Sequence, residues 1–133
     1  MIVLDASAVL ELVLRTPAGK RVAERIESPD ETLHAPHLID LEVAQVLRRY
    51  EAGRTLSPSR AQEALEDYRS LDLTRYPHEI FLRRIWELRR NVTAYDGVYL
   101  ALAEVLDAPL LTADQRLAST SGHRVRVEIV RQK

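Results

Sequence analysis

Residues 1–14 read MIVLDASAVLELVL, and the fold turns on them. Ile2, Val3 and Leu4 are consecutive aliphatic residues without polar alternation, the pattern of a strand buried on both faces of a parallel sheet. The run stops at an acid, Asp5. From Ala6 to about Arg15 the apolar residues change their spacing to Val9, Leu10, Val13 and Leu14, which share one face of a helix. The same order returns near the other end of the chain. There Leu110-Leu111-Thr112 reads as a short buried strand, and a brief helix follows Asp114.

Between these two points strands and helices alternate. Pro17 opens a second helix, a position that suits its fixed φ and missing N–H, with Val22, Ala23 and Ile26 on one side. Ser28-Pro29-Asp30 is a turn and Thr32 to Ala35 a short strand. From Pro36 to about Ala52 the spacing of Ile39, Val43, Val46, Leu47 and Tyr50 predicts a long helix, which Gly53 ends as a cap. Ser57-Pro58 starts a helix with Ala61, Leu65 and Tyr68 inward, and residues 72–76 form a strand. A helix from about His78 to Arg90 is expected to hold Ile80, Phe81, Ile85, Trp86 and Leu88, and another runs from Thr93 to Ala108. Val125 to Val130 alternates as a last strand. This order implies an α/β fold with a mostly parallel central sheet covered on both faces. A chain of 133 residues suits a single domain, 1–133.

Hydrophobic residues make up 46% and charged residues 29%, the balance of an ordinary globular domain. The net charge of -1 favours no partner, but all except two of the 19 basic residues are arginine. Arginine grips phosphate through a planar fork, although GC-rich coding enriches arginine equally well. The absence of cysteine removes disulfides, thiolate metal sites and thiol nucleophiles. Asp5 and Glu11 interrupt the apolar start and no basic residue precedes it, so neither a signal peptide nor a membrane span is expected. The expected location is cytoplasmic, without a membrane partner.

Ligands of an open parallel sheet bind at the carboxyl ends of its strands. Asp5 and Asp114 would share that edge if their strands are neighbours. Each could equally be a helix N-cap and nothing more, and Thr93-Ala94-Tyr95-Asp96 reads as a capping box. Glu42 is different, because it lies inside a helix on the stripe of Ile39, Val43 and Val46. A carboxylate there needs a partner or a metal, the alternatives being an arginine or a place at the stripe's edge. Asp40 falls on the opposite, solvent-facing side. Four carboxylates at one edge repel one another unless cations hold them, and an oxygen-only set suits magnesium or manganese. Zinc is not expected, since His34, His37, His78 and His123 show no ligand spacing; His34 and His37 are taken as surface or packing residues.

MIVLDASA, PHLIDLEVAQVLRR, NVTAYDGVYLALAEVL and LLTADQRLA together resemble the PIN-domain ribonucleases, and within them the VapC-type toxins of toxin–antitoxin pairs. The resemblance covers residue 1 to about residue 130 with the motifs in the family's order. It implies a three-layer α/β/α PIN-like fold and a Mg2+-dependent endoribonuclease, with Mn2+ as a substitute, acting as the toxin of a type II pair. Asp5, Glu42, Asp96 and Asp114 match its catalytic and metal-binding acids, and Ser7 and Thr112 its hydroxyl positions near the metal. It further implies RNA as substrate, a cognate antitoxin whose tail fills a groove near the acids, and a homodimer. The helices at 6–14 and 38–50 serve equally as contact surfaces or as core. Arg48, Arg49, Arg83, Arg84, Arg89 and Arg90 are candidates for phosphate contacts. Two positions depart from the pattern: Gly97 replaces the usual alanine, and Arg116 stands where some relatives carry another acid.

Other readings use the acids differently. A PIN-like module that binds RNA or protein without cleaving would keep the fold and lose the chemistry. A phospho-accepting receiver domain needs an acid beside Asp5 and a late sheet lysine, yet the only late lysine is Lys133. A phosphatase with an Asp-x-Asp nucleophile is excluded by Ser7.

Overall fold

The computed structural model describes residues 1–131; residues 132 and 133, Lys133 among them, lie outside the described part. The chain runs β1 (Ile2–Leu4), α1 (Ala6–Val13), α2 (Pro17–Ile26), β2 (Leu33–Pro36), α3 (Leu38–Ala52), α4 (Pro58–Arg69) and β3 (Leu73–Tyr76). A 3-10 turn at Glu79–Phe81 leads into α5 (Leu82–Glu87), followed by α6 (Ala94–Leu106), β4 (Leu110–Thr112), α7 (Gln115–Ala118) and β5 (Val127–Ile129).

The five strands form one sheet in the order β3-β2-β1-β4-β5, and every pairing is parallel. β1 lies in the middle. Its buried residues, Ile2, Val3 and Leu4, are those of a strand covered from both sides. α6 lies against β1, β2 and β4, while α1 packs on α2, α3 and α4, which gives the three layers α/β/α. After β1 the chain builds outward through β2 and β3, and β4 then returns to pair with β1 on its other side. The strand order therefore reverses between β1 and β4, the place where an open parallel sheet leaves a crevice at its carboxyl edge. The register Leu4↔Leu111 sets Asp5 beside Thr112, and the Asp5 N–H donates to the Leu111 carbonyl at 3.2 Å.

Local chemistry fixes the helix starts. Asp5, Thr16, Ser57, Thr93 and Asp114 each accept a backbone N–H from the first turn they precede. α1 and α2 meet closely at Gly19, where a Cβ would stand 1.9 Å from the Glu11 carbonyl oxygen.

The expected parallel sheet is found, parallel throughout. Several other expectations are corrected. β5 is only three residues long. The segment from His78 is a turn followed by a six-residue helix, so Ile80 and Trp86 point outward at 66% and 67% exposure. Ala23 is exposed on α2. Gly53 ends α3 without a left-handed conformation (φ -83), which Arg54 adopts instead (φ 62). Asp40 is not free in solvent: Arg75 Nε donates to it at 2.8 Å, and so does the Tyr68 hydroxyl. His34, by contrast, is a packing residue as expected, buried between Thr32 and the Tyr76 hydroxyl.

Candidate active site

Four separate segments deliver the four acids to the carboxyl edge. Asp5 follows β1 directly. Its burial, 6% exposed, comes with a full set of donors: Ala8 N–H at 3.0 Å and Ser7 Oγ at 2.7 Å on Oδ1, and Thr112 Oγ1 at 2.5 Å on Oδ2. The cap reading of Asp5 holds, since Oδ1 caps α1, and it leaves the carboxylate at the carboxyl edge of β1 open to a second role. Ser7 and Thr112 stand 3.1 Å apart and also accept the N–H groups of Ala113 and Asp114, tying the β4–α7 turn to Asp5.

Asp114 accepts the Arg116 N–H at 2.9 Å, and the Arg116 guanidinium lies 3.5 Å from its other oxygen. Asp96 sits in the first turn of α6. Thr93 caps that turn by accepting the Asp96 N–H at 3.2 Å, but among the described residues no bond returns from the Asp96 carboxylate to Thr93. The capping box is thus half made, and the Asp96 side chain is left for other use. Glu42 projects from the interior of α3, half-buried as its stripe position predicts. The Tyr99 hydroxyl donates to its Oε1 at 2.5 Å, and among the described residues no arginine pairs with it.

The electrostatics link the four. Burial pushes the Asp5 carboxyl above its ordinary range, only partly offset by Thr112, Ala8 and Ser7, and the charge of Asp114 pushes the same way. Burial likewise raises Glu42, against the Tyr99 hydrogen bond, with Asp5 and Asp96 adding repulsion. Asp96 is raised by burial and then by Asp114, and lowered by Arg116. Each acid therefore stands within the field of another. The donors are all oxygen, which fits a hard divalent cation. Among the described residues no three carboxylates or histidines stand close enough together to form a cage that holds a metal ion by itself. Magnesium does not need one, because it takes one or two carboxylates and fills its octahedron with water and phosphate oxygens.

A cleft of about 570 Å3 opens beside Glu42, between α1, α3 and the start of α6. Leu10, Leu38, Leu41 and Tyr95 line it, with Gln45 and Arg49 on its rim. Of the candidate arginines, Arg49 reaches this cleft, whereas Arg84 is committed to Glu104 and Glu87 and Arg89 lies over the Trp86 ring. α1 is chiefly core, and α3 is core on one side and cleft wall on the other. Tyr99 carries no sequence signal of its own and reads as an ordinary core aromatic, while Arg116 stands out in the sequence only as a departure from the family pattern.

The comparisons bear on family and fold. The family model described as PIN domain matches residues 2–122. Ribonuclease VapC12 of Mycobacterium tuberculosis (strain ATCC 25618 / H37Rv) is 43% identical over 130 residues, covering 98% of this chain and 99% of the relative. Ribonuclease VapC9 of the same strain is 41% identical over 130 residues, covering 98% of each. Among solved structures, PAE2754 from Pyrobaculum aerophilum superposes with a TM-score of 0.72 at 19% identity, over 96% of this chain and 83% of that one. Mycobacterium tuberculosis VapC20, described as a Sarcin-Ricin loop cleaving toxin, superposes with a TM-score of 0.61 at 16% identity, over 95% of this chain and 99% of that one.

Proposed function

The chain belongs to the PIN-domain family, and on that premise we propose that it is a divalent-metal-dependent endoribonuclease, the toxin of a type II toxin–antitoxin pair. The observation that carries this reading is Asp5: a buried carboxylate with no cationic partner among the described residues, at a sheet crevice where it and Asp114, and it and Glu42, repel one another, while Asp96 stands in the field of Asp114. The ribonuclease names of its relatives support the reaction class.

Asp5 and Asp96 would be the direct ligands of a divalent ion, and Glu42 and Asp114 would complete the shell or orient its waters. Ser7 and Thr112 hold the Asp5 carboxylate from both sides, which fixes where its lone pairs point. A divalent ion, when bound, supplies positive charge to the phosphodiester and makes water acidic enough to attack near neutral pH. In the hydrolysis water oxygen bonds to phosphorus and the bond to the 3′ oxygen breaks, leaving a 5′-phosphate and a 3′-hydroxyl. Arg116, beside Asp114, and Arg49, on the cleft rim, draw the RNA backbone toward the acids.

The cleft next to Glu42 suits the antitoxin tail, being apolar within and close enough to the acids to block them. The outward Ile80, Leu82 and Trp86 suit the face of a homodimer. We read residues 1–133 as one domain; among the described residues no helix is long and apolar enough to cross a membrane.

The test is incubation of the protein with total and structured RNAs, with Mg2+ or Mn2+ and then with chelator, alongside Asp5→Asn and Asp96→Asn. Metal-dependent cleavage lost in both variants is expected. Cleavage that survives both substitutions overturns the four-acid site, and folded protein that binds RNA but never cuts it points to a binding module.

A further inference from the structure

The side chain that aims Glu42 is Tyr99. Tyr99 is 2% exposed, deep in the core. A phenol placed there needs a partner for its hydroxyl, and the one it has is Glu42 Oε1 at 2.5 Å. A phenylalanine would fill the same space without that requirement. The bond is also the only one that Glu42 receives from the described residues, so its other oxygen is left uncommitted. A glutamate has three side-chain torsions, and on a helix flank its carboxylate would otherwise swing between crevice and solvent.

The position of Tyr99 in the sequence ties this bond to the rest of the site. Tyr99 lies three residues after Asp96, so one face of α6 carries both, about one turn apart. The same helix thus presents Asp96 at its N-terminus and, one turn deeper, the hydroxyl that grips Glu42 from α3. α6 lies against β1 and β4, whose carboxyl ends bring in Asp5 and Asp114.

We infer that Tyr99 is a positioning residue for the metal site: its hydroxyl holds the Glu42 carboxylate in register with Asp96, so that Glu42 can serve the divalent ion. The inference rests on the proposed metal-dependent function and goes beyond it by assigning a role to a residue outside the four acids. Tyr99 touches neither ion nor RNA and acts only through Glu42.

The test is Mn2+ binding to the intact chain, followed by calorimetry and by the electron-spin signal of free Mn2+, for unaltered protein, Tyr99→Phe, Glu42→Gln and the double variant. Tyr99→Phe keeps the ring, and thermal unfolding followed by circular dichroism checks the fold. The expected result is Mn2+ affinity weakened about tenfold by Tyr99→Phe, as for other outer partners of metal ligands, with no further loss when it is added to Glu42→Gln. RNA cleavage by Tyr99→Phe should fall at low Mn2+ and recover at saturating Mn2+, which a packing defect would not allow. Unchanged affinity in Tyr99→Phe overturns the inference, and so does an equal loss in both backgrounds. If Asp5→Asn still weakens Mn2+ binding in either case, only the role of Tyr99 has failed. If the unaltered protein binds no Mn2+, the metal site itself has failed and this inference with it.

Discussion

Two carboxylates in this molecule are withdrawn from water and live in opposite electrostatic worlds. The Glu104 side chain is 3% exposed, and Arg84 clamps it with Nε at 2.8 Å and Nη2 at 3.0 Å. The Arg124 N–H adds a third bond at 3.2 Å, and the carboxyl is held below its usual range, first by Arg84. Asp5 is 6% exposed, receives its hydrogen bonds from neutral groups only, and is pushed above its usual range by burial. Glu104 ties α6 to α5 and to the segment before β5. Asp5 ties the β4–α7 turn to the start of α1, but through neutral hydroxyl and amide donors only. A buried charge matched by a cation inside the chain belongs to the architecture; one left unmatched at a sheet crevice is held ready for a cation from outside.

The largest expected effects would break this contrast if they failed to differ. Asp5→Asn should abolish metal-dependent RNA cleavage, a loss larger than the roughly 100-fold seen when only an outer partner of a metal ligand is removed. Because asparagine caps helices about as well as aspartate, urea unfolding of the metal-free variant should match or exceed the stability of the parent. Glu104→Gln should behave in reverse. It leaves Arg84 without its charge partner and should cost about 1–3 kcal/mol in urea unfolding, with cleavage per folded molecule unchanged. If Asp5→Asn unfolded the protein, or Glu104→Gln abolished cleavage, the two roles would have been assigned the wrong way round.

How much of this was legible in the sequence depended on distance along the chain. β1, α1, β4 and α7 were readable because each signal is local: an aliphatic run, an acid that ends it, and an apolar spacing that changes from strand to helix. That Asp5 and Asp114 share an edge was conditional on β1 and β4 pairing, which the sheet order satisfies. Glu42 could be singled out because its helical stripe has a definite phase. The failures are non-local. Asp40 has the right phase for solvent, but its partner Arg75 comes from β3, 35 residues on. Ile80 and Trp86 looked inward only on the assumption of one continuous helix; the 3-10 turn at Glu79–Phe81 shifts the phase and turns both outward. Tyr99 was hidden by chemistry, since nothing in a sequence separates a tyrosine kept for its ring from one kept for its hydroxyl.

The smallest expected effect, and the sharpest form of the comparison, is the sign of the pH dependence. Asp5 has a folded-state pKa raised above its unfolded value near 3.8, so the folded chain binds its proton more tightly than the unfolded chain does. Its contribution to stability is fully present below about pH 4 and is lost as pH rises through the raised value. Glu42 and Asp96 are shifted in the same direction. Glu104 is shifted the other way from 4.5, so its stabilisation is present above that pH and is lost as pH falls through the depressed value. In metal-free urea titrations between pH 3 and 7, Asp5→Asn should therefore gain stability relative to the parent as pH rises, and Glu104→Gln should lose it. Near pH 3 the gain of Asp5→Asn should vanish and the deficit of Glu104→Gln should be at its smallest. Adding Mn2+ should cancel the advantage of Asp5→Asn at neutral pH, because an ion that binds only the folded parent stabilises it by mass action, and should leave the Glu104→Gln deficit untouched. Two slopes of the same sign, or an Asp5→Asn difference indifferent to Mn2+, would mean that the acids at the sheet edge are charged for some purpose other than holding a cation.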